Sequence, residues 1–327
     1  MQRTFRAVAA AVSFTALAAF PTVASADAYP SKSIKMIVAY GPGSGADIVG
    51  RILADQLSKQ MNVSVVVENR DGAGGSIGTT LASKAPADGY TILMAPTTLT
   101  VSPALQANPT YDPVKDFTPV TRVAIQPMTI VTSLNAPYNN LRELIAYAQA
   151  NPGRISYGTS GKGSPSHLEM EMIRSMLGLQ MQDVPYKSFG NAISDTISGQ
   201  VSFYFPTFPA ALPHIKGGKV KALAVGSPER APQAPEIPTI AEELGKPGYE
   251  VSVWYGVVVP AGTPEPIVTR LHTEIARALD VPAVREKIAA TGAIVSIAPP
   301  EKFSQQVKSE TVKWTKMVKD LKLTAVQ

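Results

Sequence analysis

The chain contains no cysteine, which excludes disulfide bridges, thiolate metal ligands and cysteine nucleophiles. It has three histidines, His167, His214 and His272. Scattered and without thiols beside them, they make a poor zinc site, so no metal is expected. Past residue 20 no apolar run is long enough to cross a bilayer, and the mature chain is not expected to span a membrane. Clusters of Lys and Arg interleaved with aromatics are missing too. The formal charge of +5 is spread over 327 residues, so nucleic acid is not an expected partner. That length divides into two domains or so. With 45% hydrophobic and 17% charged residues, the chain can fill its cores without covalent staples.

What is present begins at the N-terminus. Arg3 and Arg6 precede an apolar run from Ala7 to Phe20, and Ala24-Ser25-Ala26 follows with small residues at the two positions a signal peptidase reads. Residues 1–26 therefore read as a cleavable secretory signal peptide, and the expected location is the periplasm. Loss of the two arginines lowers the formal charge from +5 to about +3.

The mature chain alternates strand and helix. Residues 34–40, 63–69 and 91–96 read as buried strands, with helices over 46–60 and 76–85 between them. This βαβαβ order predicts a parallel sheet covered by helices. A long extended stretch at 123–133 is interrupted by Pro127. A second alternating unit follows, with helices near 140–150, 165–177, 190–199 and 208–216 and strands near 155–158, 182–186, 201–205 and 220–225. Residues 249–260 are again long and extended, and the remainder reads as helix over 264–280, 282–291 and 300–321. Two crossings predict an α/β protein of two lobes, each a mostly parallel sheet flanked by helices. The first lobe would take 27–126 and 251–327, the second 127–250. Two crossing strands form a hinge geometry, and open parallel sheets bind ligands beyond the carboxyl ends of their strands.

Those ends carry the chemistry. The first loop, "AYGPGSGAD" (39–47), runs from a strand into a helix starting near Ala46. Gly41, Gly43 and Gly45 let backbone N–H groups approach an anion, and the helix adds its positive end. A dinucleotide reading has Glu68 at the end of the second strand as a ribose-binding acid. However, the spacing is G-x-G-x-G rather than G-x-G-x-x-G. A bare turn without ligand is the other alternative. The second loop, "ENRDGAGGSIG" (68–78), offers Gly74, Gly75 and Ser76 either to a ligand or to close helix packing. The third, "YGTSGKGSPSHLEME" (157–171), supplies Thr159, Ser160, Gly163 and Ser164 as hydroxyl or backbone donors. There Ser164 fits a helix N-cap and Pro165 the first helical position. It fails the P-loop pattern at 156 and 163. Although Ser160 and Ser164 lie near His167, no G-x-S-x-G elbow exists, and no enzyme activity is expected.

With these segments in view, the mature chain resembles the Bug family, the periplasmic solute-binding proteins of tripartite tricarboxylate transporters. The segments that carry the likeness include "YPSKSIKMIVAYGPGSGAD", "VVVENRDGAGGSIG", "ISYGTSGKGSPSHLEME", "VPYKSFGNAISDTISGQV" and "WYGVVVPAGTPEPIVTRL". The resemblance implies a two-lobed periplasmic-binding-protein fold. Such a protein closes on a small carboxylate and delivers it to membrane subunits, as a monomer and without a cofactor. It places the ligand loops at Tyr40–Asp47 and Thr159–His167 and the family acid at Asp195. Ala39, Tyr40, Ser44 and Ala46 depart from the family's first loop: Ser44 adds a hydroxyl where the family has glycine, and Ala46 removes one.

The candidate ligand residues are therefore Tyr40, Gly43, Ser44, Gly45 and Thr97 in the first lobe, with Thr159, Ser160, Gly163, Ser164, His167 and Phe205 in the second. Asp47 and Asp195 would repel a bound anion directly. Asp47 is expected to orient its loop or cap the helix, and Asp195 to hold a water or a loop amide. Two opposed cradles favour a dicarboxylate. "FYFPTFP" (203–209) has four aromatics in seven residues. That run points to a ring-bearing acid such as terephthalate. An aliphatic di- or tricarboxylate is the alternative, with the aromatics then facing the core.

Overall fold

The computed structural model describes residues 29–159, Gly161, 164–186 and 188–320. The expected signal peptide, Ser160 and Gly163 lie outside the described residues. The chain starts with β1 (Ile34–Val38), α1 (Gly45–Met61), β2 (Val65–Asn69), α2 (Ser76–Ser83), β3 (Thr91–Pro96), the short α3 (Thr98–Val101) and the long β4 (Phe117–Pro127). It then builds β5 (Thr129–Thr132), α4 (Leu141–Ala150), β6 (Ile155–Thr159), α5 (Pro165–Leu177), β7 (Met181–Pro185) and α6 (Phe189–Ser198). The two-residue β8 (Phe203–Tyr204), α7 (Phe208–Lys216), β9 (Lys221–Val225) and α8 (Ile240–Leu244) complete that unit. The return runs through β10 (Ser252–Pro260), α9 (Glu265–Asp280), α10 (Pro282–Ala290), β11 (Ile294–Ala298) and α11 (Pro300–Asp320).

Two sheets result, in the orders β11-β4-β10-β3-β1-β2 and β7-β6-β8-β5-β9. Both are mixed, which corrects the mostly parallel expectation. β1 is parallel to β2 and β3, whereas β10 is antiparallel to β3 and β4, and β4 to β11. In the second sheet β6 is parallel to β7 and β8, and β5 antiparallel to β8 and β9. The reason is the double crossing: a strand that leaves a lobe and one that returns to it run in opposite directions. The edge strand β11 falls between the helices expected over 282–291 and 300–321, where no strand was expected; it is five residues long and only Ala298 in it is buried. A half-buried edge strand carries little hydrophobic signal.

The lobes meet where β4 ends and β10 begins. Pro127, opposite Ser252, has no N–H to give to the ladder, and there the chain leaves one sheet for the other. The Met128 amide donates to Val251 O at 2.9 Å, and the Gly226 amide to Met128 O at 2.7 Å. In this crossing ribbon Gln126 pairs with Val253 on one face and Ile125 with Trp254 on the other. Apolar cores lie on both faces of each sheet, with Ile34, Leu53 and Leu271 on one side of the first and Ile37, Leu93 and Phe303 on the other. The second has Tyr157 and Phe203 on one side and Val131 and Tyr204 on the other.

Candidate functional site

The first-lobe loop is a tightly bonded turn. Ser44 caps α1, its hydroxyl accepting from the Asp47 amide at 3.2 Å. Asp47 returns the bond: Oδ2 accepts from the Gly43 amide at 2.9 Å, and Oδ1 from Arg51 Nε and Asn69 Nδ2, both at 2.9 Å. Asn69 also donates to Tyr40 O at 2.8 Å. Burial pushes the Asp47 carboxyl up, but the bonds from Arg51, Gly43 and Asn69 outweigh it and hold the group below the usual carboxylate range. Gly45 opens α1 where no side chain fits, since an added Cβ would lie 2.2 Å from the Tyr255 hydroxyl. That hydroxyl donates to Gln126 Oε1 at 2.8 Å, which seats the helix N-terminus against the crossing ribbon.

Tyr40 joins this loop to the second one. Its hydroxyl bonds to Gly74 O at 3.0 Å and Thr98 Oγ1 at 2.6 Å. The ring lies against Gly75, whose φ of +92° and missing Cβ allow the approach. Burial raises the Tyr40 phenol. Glu68, the acid of the dinucleotide reading, is engaged by Lys35 at 3.1 Å and by Arg70.

In the second lobe three helix N-termini meet. Ser164 caps α5 by accepting from the His167 amide at 3.3 Å, and Ser188 caps α6 by accepting from the Asn191 amide at 3.3 Å. Thr207 stands at the N-cap of α7 with no side-chain capping bond. A cavity of about 250 Å³ opens among them. Ser164, Ser166, Ser188 and Thr207 line it with hydroxyls, and Met128, Tyr186, Phe189, Tyr204, Pro206, Ala210 and Val253 with carbon. Each helix start directs partial positive charge outward, so this rim suits a carboxylate. Asp195 Oδ2 accepts from the Tyr186 hydroxyl at 2.8 Å, so Asp195 braces a phenol here rather than a loop amide. Burial and then this carboxylate push the Tyr186 phenol up to about 12.

Several expected ligand residues lie elsewhere. Phe205 is 0% exposed within the second-lobe core, and Phe203 stacks on Tyr157 with ring centroids 5.8 Å apart. Along the strand only Tyr204 points the other way, toward the cavity. Thr97 is buried, its hydroxyl accepting from the Trp254 amide at 2.8 Å. Thr159 is buried too and donates to Asp183 Oδ1 at 2.9 Å. His167 is buried, with Nε2 3.7 Å from Asp183 Oδ2. Of the candidates, Ser164 lines the cavity. Tyr40, Gly43, Ser44 and Gly45 belong to the first-lobe turn and do not line it. Ser188 and Thr207 were not foreseen, although a Ser before "FGNAI" and a Thr before "FPAAL" are N-cap signals. Among the described residues no group of three or more His, Asp or Glu is placed to hold a metal, and no helix is long and apolar enough to cross a membrane.

Residues 49–323 match the sequence model of the tripartite tricarboxylate transporter family receptor. Protein BugT of Bordetella pertussis is 36% identical over 309 residues, covering 94% of this chain and 94% of BugT. A structure from R. palustris solved with adipate superimposes with a TM-score of 0.74 at 33% identity, covering 89% of this chain and 97% of the other. MatC from Rhodopseudomonas palustris with bound malate gives 0.71 at 31% identity, covering 89% and 100%.

Proposed function

The chain belongs to the tripartite tricarboxylate transporter receptor family, and from that membership we propose that it captures a small dicarboxylate in the periplasm and delivers it to membrane transporter subunits. It acts as a monomeric binding protein and leaves its ligand chemically unchanged. The observation that carries this reading is the convergence of the α5, α6 and α7 N-termini on one cavity rimmed by hydroxyls and walled by carbon. Amides and hydroxyls hold a carboxylate without a fixed counter-charge, at about 1.5–3 kcal/mol per charge-assisted bond. Such a site can let go again. The second carboxylate goes to the α1 turn of the first lobe, at Ser44 and Gly45, the Gly43 amide being held by Asp47. A ligand that bridges the two turns favours the closed state over the open one, and that difference drives closure about the β4–β10 ribbon.

The wall of Tyr186, Phe189 and Tyr204 supports a dicarboxylate with an apolar middle, a benzene ring or a methylene chain, over a hydroxylated one. Terephthalate is the ring-bearing candidate. The adipate complex of a family neighbour supports the methylene reading. Isothermal calorimetry of the mature chain with terephthalate, adipate, malate and citrate separates these. Saturable heat with terephthalate or adipate, and little with malate, is the expected result. Binding of malate or citrate alone overturns the apolar middle and keeps the carboxylate receptor. Turnover of any of them overturns the binding-protein reading.

A further inference from the structure

Behind the crossing ribbon lies a second cavity, of about 140 Å³, lined by Ile125, Ser252 and Trp254 on the face opposite Val253. It sits on the seam between the lobes. Glu169 enters it from α5 of the second lobe, and Glu310 and Lys313 from α11 of the first. Lys313 Nζ lies 3.0 Å from Glu169 Oε1 and 4.2 Å from the centroid of the Trp314 ring. Beside this pair Leu168 of α5 packs with Val101, Leu105, Trp314 and Met317 of the first lobe. Glu310 is fully engaged, accepting from Trp254 Nε1 at 2.8 Å, Thr100 Oγ1 at 3.0 Å and Gln306 Nε2 at 2.8 Å. Glu169 is not: its Oε2 is buried without a hydrogen-bond partner among the described residues.

Glu169, Glu310 and, at the exposed mouth, Glu250 face Lys313 and Arg122. Tyr249, a further titratable neighbour, adds no charge at ordinary pH, and burial and then Glu169 raise its phenol further. Lys313 meets only one of the two Glu169 oxygens, and a buried carboxylate oxygen left without a donor is costly while the group is charged. A proton on Glu169 relieves that cost.

We propose that Glu169 and Lys313 form a proton-dependent latch between the lobes, in which Glu169 takes up a proton when α5 seats on α11. The latch and the ligand cavity share one rigid body: Ser164 at the start of α5 lines the cavity, and Glu169 follows five residues on. Burial is the leading cause that raises the Glu169 carboxyl, with Glu310 adding to it and Lys313 opposing. A group whose pKa is higher in the latched state favours that state at low pH and loses the advantage as pH rises through the raised value. Acid therefore seats the lobes and alkali frees them.

The only two tryptophans of the chain, Trp254 and Trp314, both line this cavity, so intrinsic fluorescence reads it directly. The ligand-free mature chain is titrated between about pH 4 and about pH 8, a range that raised carboxyl values reach, with small-angle scattering in parallel. The expected result is a one-proton step in fluorescence, with a change in radius of gyration at the same midpoint. Glu169→Gln abolishes the step and resembles the low-pH wild type throughout. Lys313→Met moves the midpoint upward, since the ammonium that opposes protonation is gone. A step that persists unchanged in Glu169→Gln, a midpoint indifferent to Lys313→Met, or a step without change in radius overturns the proposal. No ligand enters the measurement, so the outcome is independent of the carboxylate reading.

Discussion

The Tyr186 hydroxyl donates a 2.8 Å hydrogen bond to Asp195 Oδ2, and Tyr186 lines the second-lobe cavity. The bond fixes one wall of that cavity to α6. It also couples the phenol to a carboxylate that resists its ionisation. With the phenol at about 12, Asp195→Asn is expected to lower its titration toward the ordinary tyrosine value of about 10. Carbon-13 NMR of labelled tyrosine checks this, and an unmoved resonance would mean that burial alone sets the value. Tyr186→Phe keeps the wall but loses its brace, so it should weaken dicarboxylate binding less than Tyr186→Ala does.

Asp47 holds three donors while buried, so replacing it by Ala should destabilise the protein by about 1–3 kcal/mol at neutral pH. The sign of the pH effect follows from its depressed pKa. The contribution is present above the unfolded value of about 3.9 and is lost as pH falls through the lower folded value. Urea melts at neutral and strongly acid pH should show the gap between wild type and Asp47→Ala narrowing in acid. A gap that stays constant would contradict the assignment.

Gly45 and Tyr255 test the seating of α1. Gly45→Ala sets a methyl 2.2 Å from the Tyr255 hydroxyl, and the overpacking should cost about 1–3 kcal/mol. Tyr255→Phe removes the clashing oxygen together with its bond to Gln126. The double variant should therefore recover part of the Gly45→Ala loss, a coupling that a double-mutant cycle in denaturant measures. Strict additivity would place the strain elsewhere.

Ser164 has two roles that can be separated. As N-cap of α5, its replacement by Ala should cost about 1 kcal/mol of stability, whereas Gly should cost only a few tenths. Both variants lose the hydroxyl that lines the cavity. Equal weakening of dicarboxylate binding by calorimetry is therefore expected from two variants of unequal stability. If binding instead follows stability, the hydroxyl serves the helix alone.

The strands and helices were largely legible in the sequence, because their signals are local. Buried runs such as 34–38 and 91–96 carry hydrophobic continuity, and Ser164 followed by Pro165 announces α5 with a hydroxyl just before the helical rhythm. The aromatic run at 203–205 shows the limit. Its alternation was legible, yet which face met the core depended on β8 lying between β6 and β5. Two rings went into the core and one toward the cavity. Thr97 and Thr159 looked like loop hydroxyls until the partners Trp254 and Asp183, far away in sequence, claimed them.

By itself the sequence determined the alternation of elements, the two crossings, the Ser164 cap and the absence of thiols. Each of these depends on neighbours within a few residues or on composition. Only the tertiary structure decided which helix starts share a cavity, which acids hold loops or phenols, and that Glu169 meets Lys313 across 144 residues of chain. Those pairings depend on sheet order and lobe packing, and such long-range contacts leave no periodic trace in either partner's own segment.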